Sequence, residues 1–304
     1  MRVIVTGGAG FIGSHIVDVL ITAGHTVWVC DDLSSGRADN VNPAAQFERC
    51  DIADPVQFFS LCGKLNFDTI CHQAAQPSLL RSVAEPDFDA RVNILGTINI
   101  ILAARKAGAH VVMASTSAVY SDLPTLQPYK ENSPLDATRP YGIAKMAAEQ
   151  YLRHSGLRYT ILRYGNVYGP RQVAVGENQL VPRALDHIYQ GAPFVVNGDG
   201  DQTRDFVYVK DIAEANIKAI ENGVVGIFNA GLGKMYSVNE VLLTLTRFSR
   251  FAGDFPFGPG KPNEPRRVAL DSTAARRELG WWAGTSLFDG LKATVDWYDS
   301  QSLH

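Results

Sequence analysis

The chain opens with a short β-branched run, Arg2 to Thr6, that passes at once into Gly7-Gly8-Ala9-Gly10-Phe11-Ile12-Gly13. A helical pattern follows from Ser14 to Ala23, with Gly24 as its stop. Strand, glycine turn and helix in this order leave few folds open, and the first among them is a parallel α/β sheet whose first crossover starts in the turn. The spacing is Gly-x-x-Gly-x-x-Gly. Such a turn lets the backbone approach a ligand closely, and the helix N-terminus beyond it presents free N–H groups and a partial positive charge. A pyrophosphate fits that description. Gly7, Gly10, Phe11, Ile12 and Gly13 are the candidate contacts, and Gly13 also lets the helix lie tightly on the strand.

The second strand, Thr26 to Cys30, ends in Asp31. A carboxylate there accepts hydrogen bonds from adenosine ribose hydroxyls and repels a 2′-phosphate, so the expected cofactor is NAD and not NADP. Asp32, Leu33, Ser34, Ser35 and Gly36 continue the candidate ribose-side turn; the blander alternative is that Asp31 and Asp32 merely open it. A third strand is expected at Gln46 to Arg49, with Asp51 and Ile52 placed to bracket an adenine. The fourth, Asp68 to His72, runs into Gln73-Ala74-Ala75-Gln76, whose small residues admit the cofactor to the backbone. His72 ends a strand and reads as a hydrogen-bonded structural histidine in preference to a catalytic one.

Pro86 opens a long helix with apolar Val92, Leu95, Ile98, Ile101 and Leu102. Asn93 within it either faces water or orders a neighbouring helix. The fifth strand, His110 to Ala114, ends in Ser115-Thr116-Ser117-Ala118-Val119-Tyr120. Strand C-termini of a doubly wound sheet face the ligand crevice, where hydroxyls can hold an alcohol oxygen. Tyr141 and Lys145, four positions apart, share one helix face. A phenol titrates near pH ~10 in water, and an ammonium beside it and a nicotinamide ring would stabilise the phenolate nearer neutrality. Alone, the same motif also describes an exposed helix with a snorkelling lysine.

Composition excludes several classes. The net charge is −3 with both signs scattered, and no basic stripe points to nucleic acid or an anionic membrane. The N-terminus lacks a signal-peptide layout, and no apolar stretch reaches membrane-spanning length. Cys30, Cys50, Cys62 and Cys71 form no Cys-x-x-Cys pair and suit neither zinc nor a disulfide framework, so no metal and a reduced, cytoplasmic protein are expected. Cys30 and Cys71 end apolar runs and read as buried thiols. With 304 residues and 46% apolar content, the chain can build a Rossmann-type doubly wound parallel sheet and a smaller C-terminal α/β lobe. The expected division is 1–165 for the NAD-binding domain, with returning segments around 205–230, and 166–304 mainly for the lobe. Gly226 to Asn229 reads as one returning strand. Leu279-Gly280-Trp281-Trp282 and Val295-Asp296-Trp297-Tyr298 read as helix ends that pack aromatics.

Thr6 to His15, His72 to Ala75, Tyr141 with Lys145, Arg163-Tyr164-Gly165-Asn166-Val167-Tyr168-Gly169-Pro170-Arg171, and Arg204 to Val209 together resemble the extended short-chain dehydrogenases/reductases, the branch of NAD-dependent sugar-nucleotide epimerases and dehydratases. The resemblance covers essentially the whole chain. It implies that Thr116, Tyr141 and Lys145 are catalytic and that Ser115, Asn93 and Tyr164 lie on the cofactor side. The related dehydratases and decarboxylases carry acids just after the serine or threonine, where this chain has Ser117 and Ala118. The resemblance therefore implies 4-epimerisation of a UDP-hexose, UDP-galactose/UDP-glucose, with NAD kept bound. Arg204 is the expected diphosphate or uridine contact, its alternative being an ion pair with Asp205. Asn166 should reach a phosphate or sugar, and Leu180 and Val195 either flank the uracil or belong to the core. Lys261 and Glu264 fall where the family reads Arg-Pro-Gly-Asp, and Val268 bounds the sugar pocket. Ser121, where the family often has glycine, implies a local loop change. Competing readings are a UDP-uronate 4-epimerase, with Arg81 or Arg171 as the cation, a UDP-N-acetylhexosamine 4-epimerase, a net dehydrogenase, and a non-catalytic NAD-binding regulator. The family also implies a homodimer through the Asn93 and Tyr141 helices, with Ile143, Met146 and Tyr151 at the contact or in ordinary core.

Overall fold

In a computed structural model that describes residues 1–120, 127–174, 179–261 and 265–302, the run Arg2–Thr6 is the central strand, β1. Val3, Ile4 and Val5 are fully buried, as expected of a parallel strand covered on both faces. The chain then alternates through α1 (Phe11–Thr22), β2 (Thr26–Asp31), β3 (Gln46–Arg49), α2 (Pro55–Lys64), β4 (Thr69–His72) and α3 (Leu79–Ala84). The starts are set locally: Asp54 caps α2 by accepting from the N–H groups of Val56 and Gln57, with Pro55 in the first turn.

The helix expected to run unbroken from Pro86 is in three pieces. These are α4 (Pro86–Ala90), a π turn (Arg91–Leu95) and α5 (Gly96–Ala107). The wider turn coincides with Asn93, which is buried and faces no water. Its amide donates to the Gln76 carbonyl and to Asp89 Oδ1, its Oδ1 accepts from the Gln76 N–H, and its own carbonyl accepts the Thr97 hydroxyl. Then follow β5 (His110–Thr116), α6 (Pro140–Arg153), β6 (Tyr159–Tyr164), β7 (Asn166–Tyr168), α7 (Leu180–Gln190), β8 (Val196–Asn197), β9 (Thr203–Arg204), β10 (Phe206–Tyr208), α8 (Val209–Asn222), β11 (Gly226–Ala230), β12 (Tyr236–Ser237), α9 (Val238–Ser249), β13 (Phe257–Gly258), α10 (Thr273–Glu278) and α11 (Leu287–Ser302).

Seven strands form one parallel sheet in the order β11-β6-β5-β4-β1-β2-β3. Strand order reverses between β1 and β4, so the connections leaving them part to opposite faces and open a crevice above the strand C-termini. One core cluster joins β1 to α1, α8 and Trp281; a second joins the other face to α2, α5 and α6. The expected returning strand is β11, parallel to β6. Beyond β6 the alternation gives way to three two-stranded pieces, β10-β7, β12-β9 and β13-β8. A third cluster of Tyr168, Phe194, Phe206, Leu242 and Leu291 holds them with α7, α9 and α11.

The aromatic expectations divide. Trp281 is buried and donates its indole N–H to the Asp211 carbonyl at 2.8 Å, whereas Trp282 is 62% exposed beside Arg276 and packs no core. Trp297 and Tyr298 lie within α11 and not at its end. Cys30 and Cys71 are buried free thiols. The Ser121 and Glu264 expectations lie outside the described residues.

Candidate active site

Two clefts of about 350 and 340 Å3 open over the C-terminal edge of the sheet. They share a wall that includes Thr116, Tyr141, Gly165, Asn166, Leu180 and Phe206.

The first cleft starts at the glycine turn. Gly7 has φ +69, and a Cβ on Gly13 would stand 2.1 Å from the Gly7 carbonyl oxygen, so only a bare backbone closes this turn. Gly10 occupies the N-cap of α1, no side chain caps the helix, and its first turn holds no acid. The N–H groups at that end are therefore left to face the cleft. Asp31 closes the far side: Oδ2 accepts from the Ala9 N–H and Oδ1 from the Leu33 N–H, each at 2.9 Å. Burial pushes this carboxyl up, and the backbone N–H groups of Leu33, Ala9 and Gly10 pull it back. Its oxygens keep lone pairs for further donors. Gly7, Gly10, Phe11, Ile12, Gly13, Asp31, Asp32, Ser34 and Ser35 line this cleft, as do Asp51, Ile52, Gln73, Ala74, Ala75, Ser115, Lys145 and Tyr164. Leu33, Gly36 and Asn93 are not on the described wall; Leu33 supports Asp31, and Asn93 is committed to Gln76 and Asp89. Tyr164 donates to Gln73 Oε1 at 3.1 Å and accepts from Asn216 at 2.8 Å. His72 sits below, hydrogen-bonded to Thr6 and Thr97, and burial lowers it to about 3. It is structural, as expected.

A bare-backbone turn at an uncapped helix end, with a ribose-side carboxylate opposite, fits a dinucleotide diphosphate and its adenosine. Gly7, Gly10 and Gly13 would hold the diphosphate, Asp31 the ribose.

At the shared wall, Tyr141 is partly buried and Lys145 is 3% exposed. Burial pushes the Tyr141 phenol up to about 12; the Asp89 carboxylate adds to this, and a hydrogen bond with Thr116 opposes it. Burial lowers the Lys145 ammonium to about 8, against the pull of Glu149 and Asp89. Burial is the largest of the influences on the phenol. Thr116 also accepts from the Ala118 N–H at 3.1 Å.

The second cleft carries the opposite charge. Arg139, Arg183, Arg204 and Lys261 line it, and no Asp or Glu is among its described lining residues. Asn166, Leu180, Val195 and Val268 are also on its wall; Val195 is 45% exposed and so is not core. The Arg204–Asp205 pair does not form as imagined: Asp205 is fully buried and accepts from the N–H groups of Leu232, Gly233 and Leu270. Arg81 pairs with Glu85 and Arg171 with Asp18, and neither lines this cleft. Sequence reasoning missed Arg139 and Arg183. Arg139, two residues before Tyr141, was open to notice; Arg183 had no local signal.

The fold and the glycine-lined cleft are those of a dinucleotide-dependent enzyme. The model of the NAD dependent epimerase/dehydratase family matches residues 3–231, and this chain belongs to that family. A UDP-glucose 4-epimerase of Mycolicibacterium smegmatis is 37% identical, covering 99% of this chain and 100% of that one. Among solved structures, UDP-glucose 4-epimerase of Thermotoga maritima with UDP-glucose superposes with a TM-score of 0.94 at 37% identity, over 99% of each chain. The Thermus thermophilus UDP-glucose 4-epimerase in complex with NAD gives 0.93 at 36% identity, over 98% of this chain and 99% of that one.

Proposed function

We propose that this protein is an NAD-dependent 4-epimerase of UDP-hexoses, with UDP-galactose and UDP-glucose as its substrate pair. The observation that carries the reading is the shared wall: Tyr141 and Thr116 face both an acid-bearing cleft suited to a dinucleotide and a cationic cleft suited to a second diphosphate. Tyr141 takes the proton of the sugar 4′-hydroxyl and returns it at the end of the cycle. Thr116 holds the same oxygen, and Lys145 grips the nicotinamide ribose. NAD, when bound, supplies the hydride acceptor and donor for C4′. Arg204, Arg183 and Lys261 hold the diphosphate, with Asn166 beside it and Leu180 and Val195 flanking the uracil. A 4-ketosugar anchored through that link can turn its other face to the hydride donor, while Tyr141 returns the proton to the 4′-oxygen. Ser117 and Ala118 line the second cleft and offer no carboxylate, which favours epimerisation over water elimination.

We further place residues 1–165, with the returning segments, in the NAD-binding domain, and 166–304 mainly in the substrate lobe. Ile143 and Tyr151 on α6 are 46% and 54% exposed, and Leu95 on the π turn and Leu102 on α5 are 54% and 44% exposed, which supports a homodimer through these helices. Met146 instead leans on the cluster around Tyr120 and Tyr129. Four free thiols suit a reducing cytoplasm.

The test is incubation with a panel of UDP-sugars without added NAD, products resolved by NMR. UDP-galactose should equilibrate with UDP-glucose, and Tyr141→Phe should retain NAD but lose about 100-fold or more in kcat. Turnover of UDP-N-acetylhexosamines or UDP-uronates alone would overturn the hexose assignment, and an active Phe variant the role of Tyr141.

A further inference from the structure

Glu149 lies on α6 one turn beyond Lys145 and two beyond Tyr141, and it is fully buried. Both its oxygens are engaged. Oε1 accepts the Ser115 hydroxyl at 2.5 Å and Arg163 Nε at 2.9 Å, and Oε2 accepts Arg163 Nη2 at 2.6 Å. Arg163 on β6 is 1% exposed and donates its remaining Nη1 to the Tyr120 hydroxyl and to the Glu131 carbonyl. Tyr120 donates onward to Asn229 on β11 at 2.6 Å, and it stacks on Tyr129 with ring centroids 4.9 Å apart. Both tyrosines line the second cleft. A water-excluded chain of charge-assisted hydrogen bonds thus ties α6 to the ends of β5, β6 and β11.

A buried ion pair is a weak way to gain stability, because desolving both charges offsets most of their attraction. Its place beneath the acid–base pair gives it a different use. Building on the reading above, we propose that Glu149 is a positioning residue of the acid–base site: through Ser115 it fixes α6 against the end of β5, so that Tyr141 stands beside Thr116, with the Glu149 carboxylate one helical turn from Lys145.

The charged and titratable groups around Lys145 are few. Tyr141 and Glu149 share its helix, Asp89 faces it from α4, and His72 lies below it at the end of β4. Arg163 on β6 is engaged by Glu149, and Arg91 on the π turn lies over the Phe88 ring. Glu149 is the larger of the two carboxylate influences that hold Lys145 up. Removing that charge lowers the pH at which Lys145 loses its proton, and the alkaline limb of activity moves to lower pH with it.

The experiment titrates Lys145 by NMR of ε-13C-lysine-labelled, NAD-bound protein, for the parent and for Glu149→Gln, alongside kcat and KM for UDP-galactose against pH. Lys145 should titrate about one pH unit or more lower in the variant, the scale of one charge a helical turn away at an effective dielectric near 20. Then kcat should fall about tenfold or more, with KM changed by less than about threefold, as misplacement of an acid–base group requires. Glu149→Gln strands the Arg163 charge, so E149Q/R163Q, which leaves no unpaired buried charge, is measured beside it and should show the same direction. In whichever variant folds and retains NAD, an unmoved Lys145 titration or a kcat within about twofold of the parent overturns the proposal. Should the parent turn over no UDP-sugar, the epimerase reading falls, while the Lys145 titration still decides this one.

Discussion

Gly13→Ala tests the dinucleotide cradle at its tightest point. The added Cβ would meet the Gly7 carbonyl oxygen at 2.1 Å, the Gly7 carbonyl carbon at 2.8 Å and the Gly8 Cα at 2.9 Å. Ordinary contact begins at 3.4 Å, so the first of these must open by 1.3 Å, the difference of the two distances. Every atom in the way is backbone, so no side chain can swing aside. Forcing such a contact costs about 1–3 kcal/mol. The displaced turn also loses its aim at the diphosphate, and with it the roughly 2.7 kcal/mol that a ligand at 100 times its Kd adds to the folded state. At about 2–4 °C per kcal/mol for a chain of this order of size, the melting point should fall by roughly 10 °C. Gly63→Ala is the control. Gly63 is exposed in α2 with nothing within 4 Å of the new Cβ, and that change should stabilise by about 0.5–1 kcal/mol. The assay is a melting curve on purified protein together with the NAD released on denaturation, per chain. Gly13→Ala retaining one NAD per chain and melting within about 2 °C of the parent would refute the reasoning.

Acid should destabilise the protein through its buried histidines. Burial lowers His72 to about 3 and both His15 and His110 to about 4, while an unfolded histidine titrates near 6.5. Folded pKa values below the unfolded one mean that the unfolded chain binds protons first. Stability is therefore complete above pH 6.5 and declines as pH falls from there toward 4, by about 2 kcal/mol per histidine at pH 5. Urea unfolding at pH 7 and pH 5 measures the loss, and equal stabilities would contradict it. Asp205→Asn should cost about 1–3 kcal/mol, because both oxygens accept backbone N–H groups and an amide must turn its NH2 toward one of them. Burial raises Asp205 to about 6, above its unfolded value, so the stability it contributes at low pH is lost as pH rises through about 6. A variant as stable as the parent at pH 7 would show that the three donors do not need the carboxylate.

The sheet was legible because its inner strands are apolar runs bounded by glycine and polar residues. β1 and β3 begin and end where the sequence places them, and β5 runs two residues further. A parallel strand buried on both faces announces itself by composition alone. The substrate lobe was not legible in this way: β8, β9, β12 and β13 have two residues each, and no periodicity can show in two residues. The π turn was hidden because it depends on Asn93 meeting Gln76 across the fold. The glycine turn, Asp31, Tyr141 and Lys145 were readable since each lies on or beside an element that sequence defines. The cations at 139 and 183 reach one cleft only after α6 and α7 are placed.

Burial acts on Tyr141 and Lys145 in opposite senses, and each is driven toward its uncharged form. The two carboxylates nearby do not correct this symmetrically. Asp89 holds Lys145 up but pushes the Tyr141 phenol the wrong way for a base, so the charge that aids one group hinders the other. Glu149 raises Lys145 and is absent from the influences on Tyr141, being two helical turns away with its charge engaged by Arg163. An acid placed one turn past the lysine therefore separates the two needs where an acid on α4 cannot. The Tyr–Lys spacing alone specifies which groups meet; what state they meet in depends on a third position of the same helix, and on the strand that brings Arg163 to it.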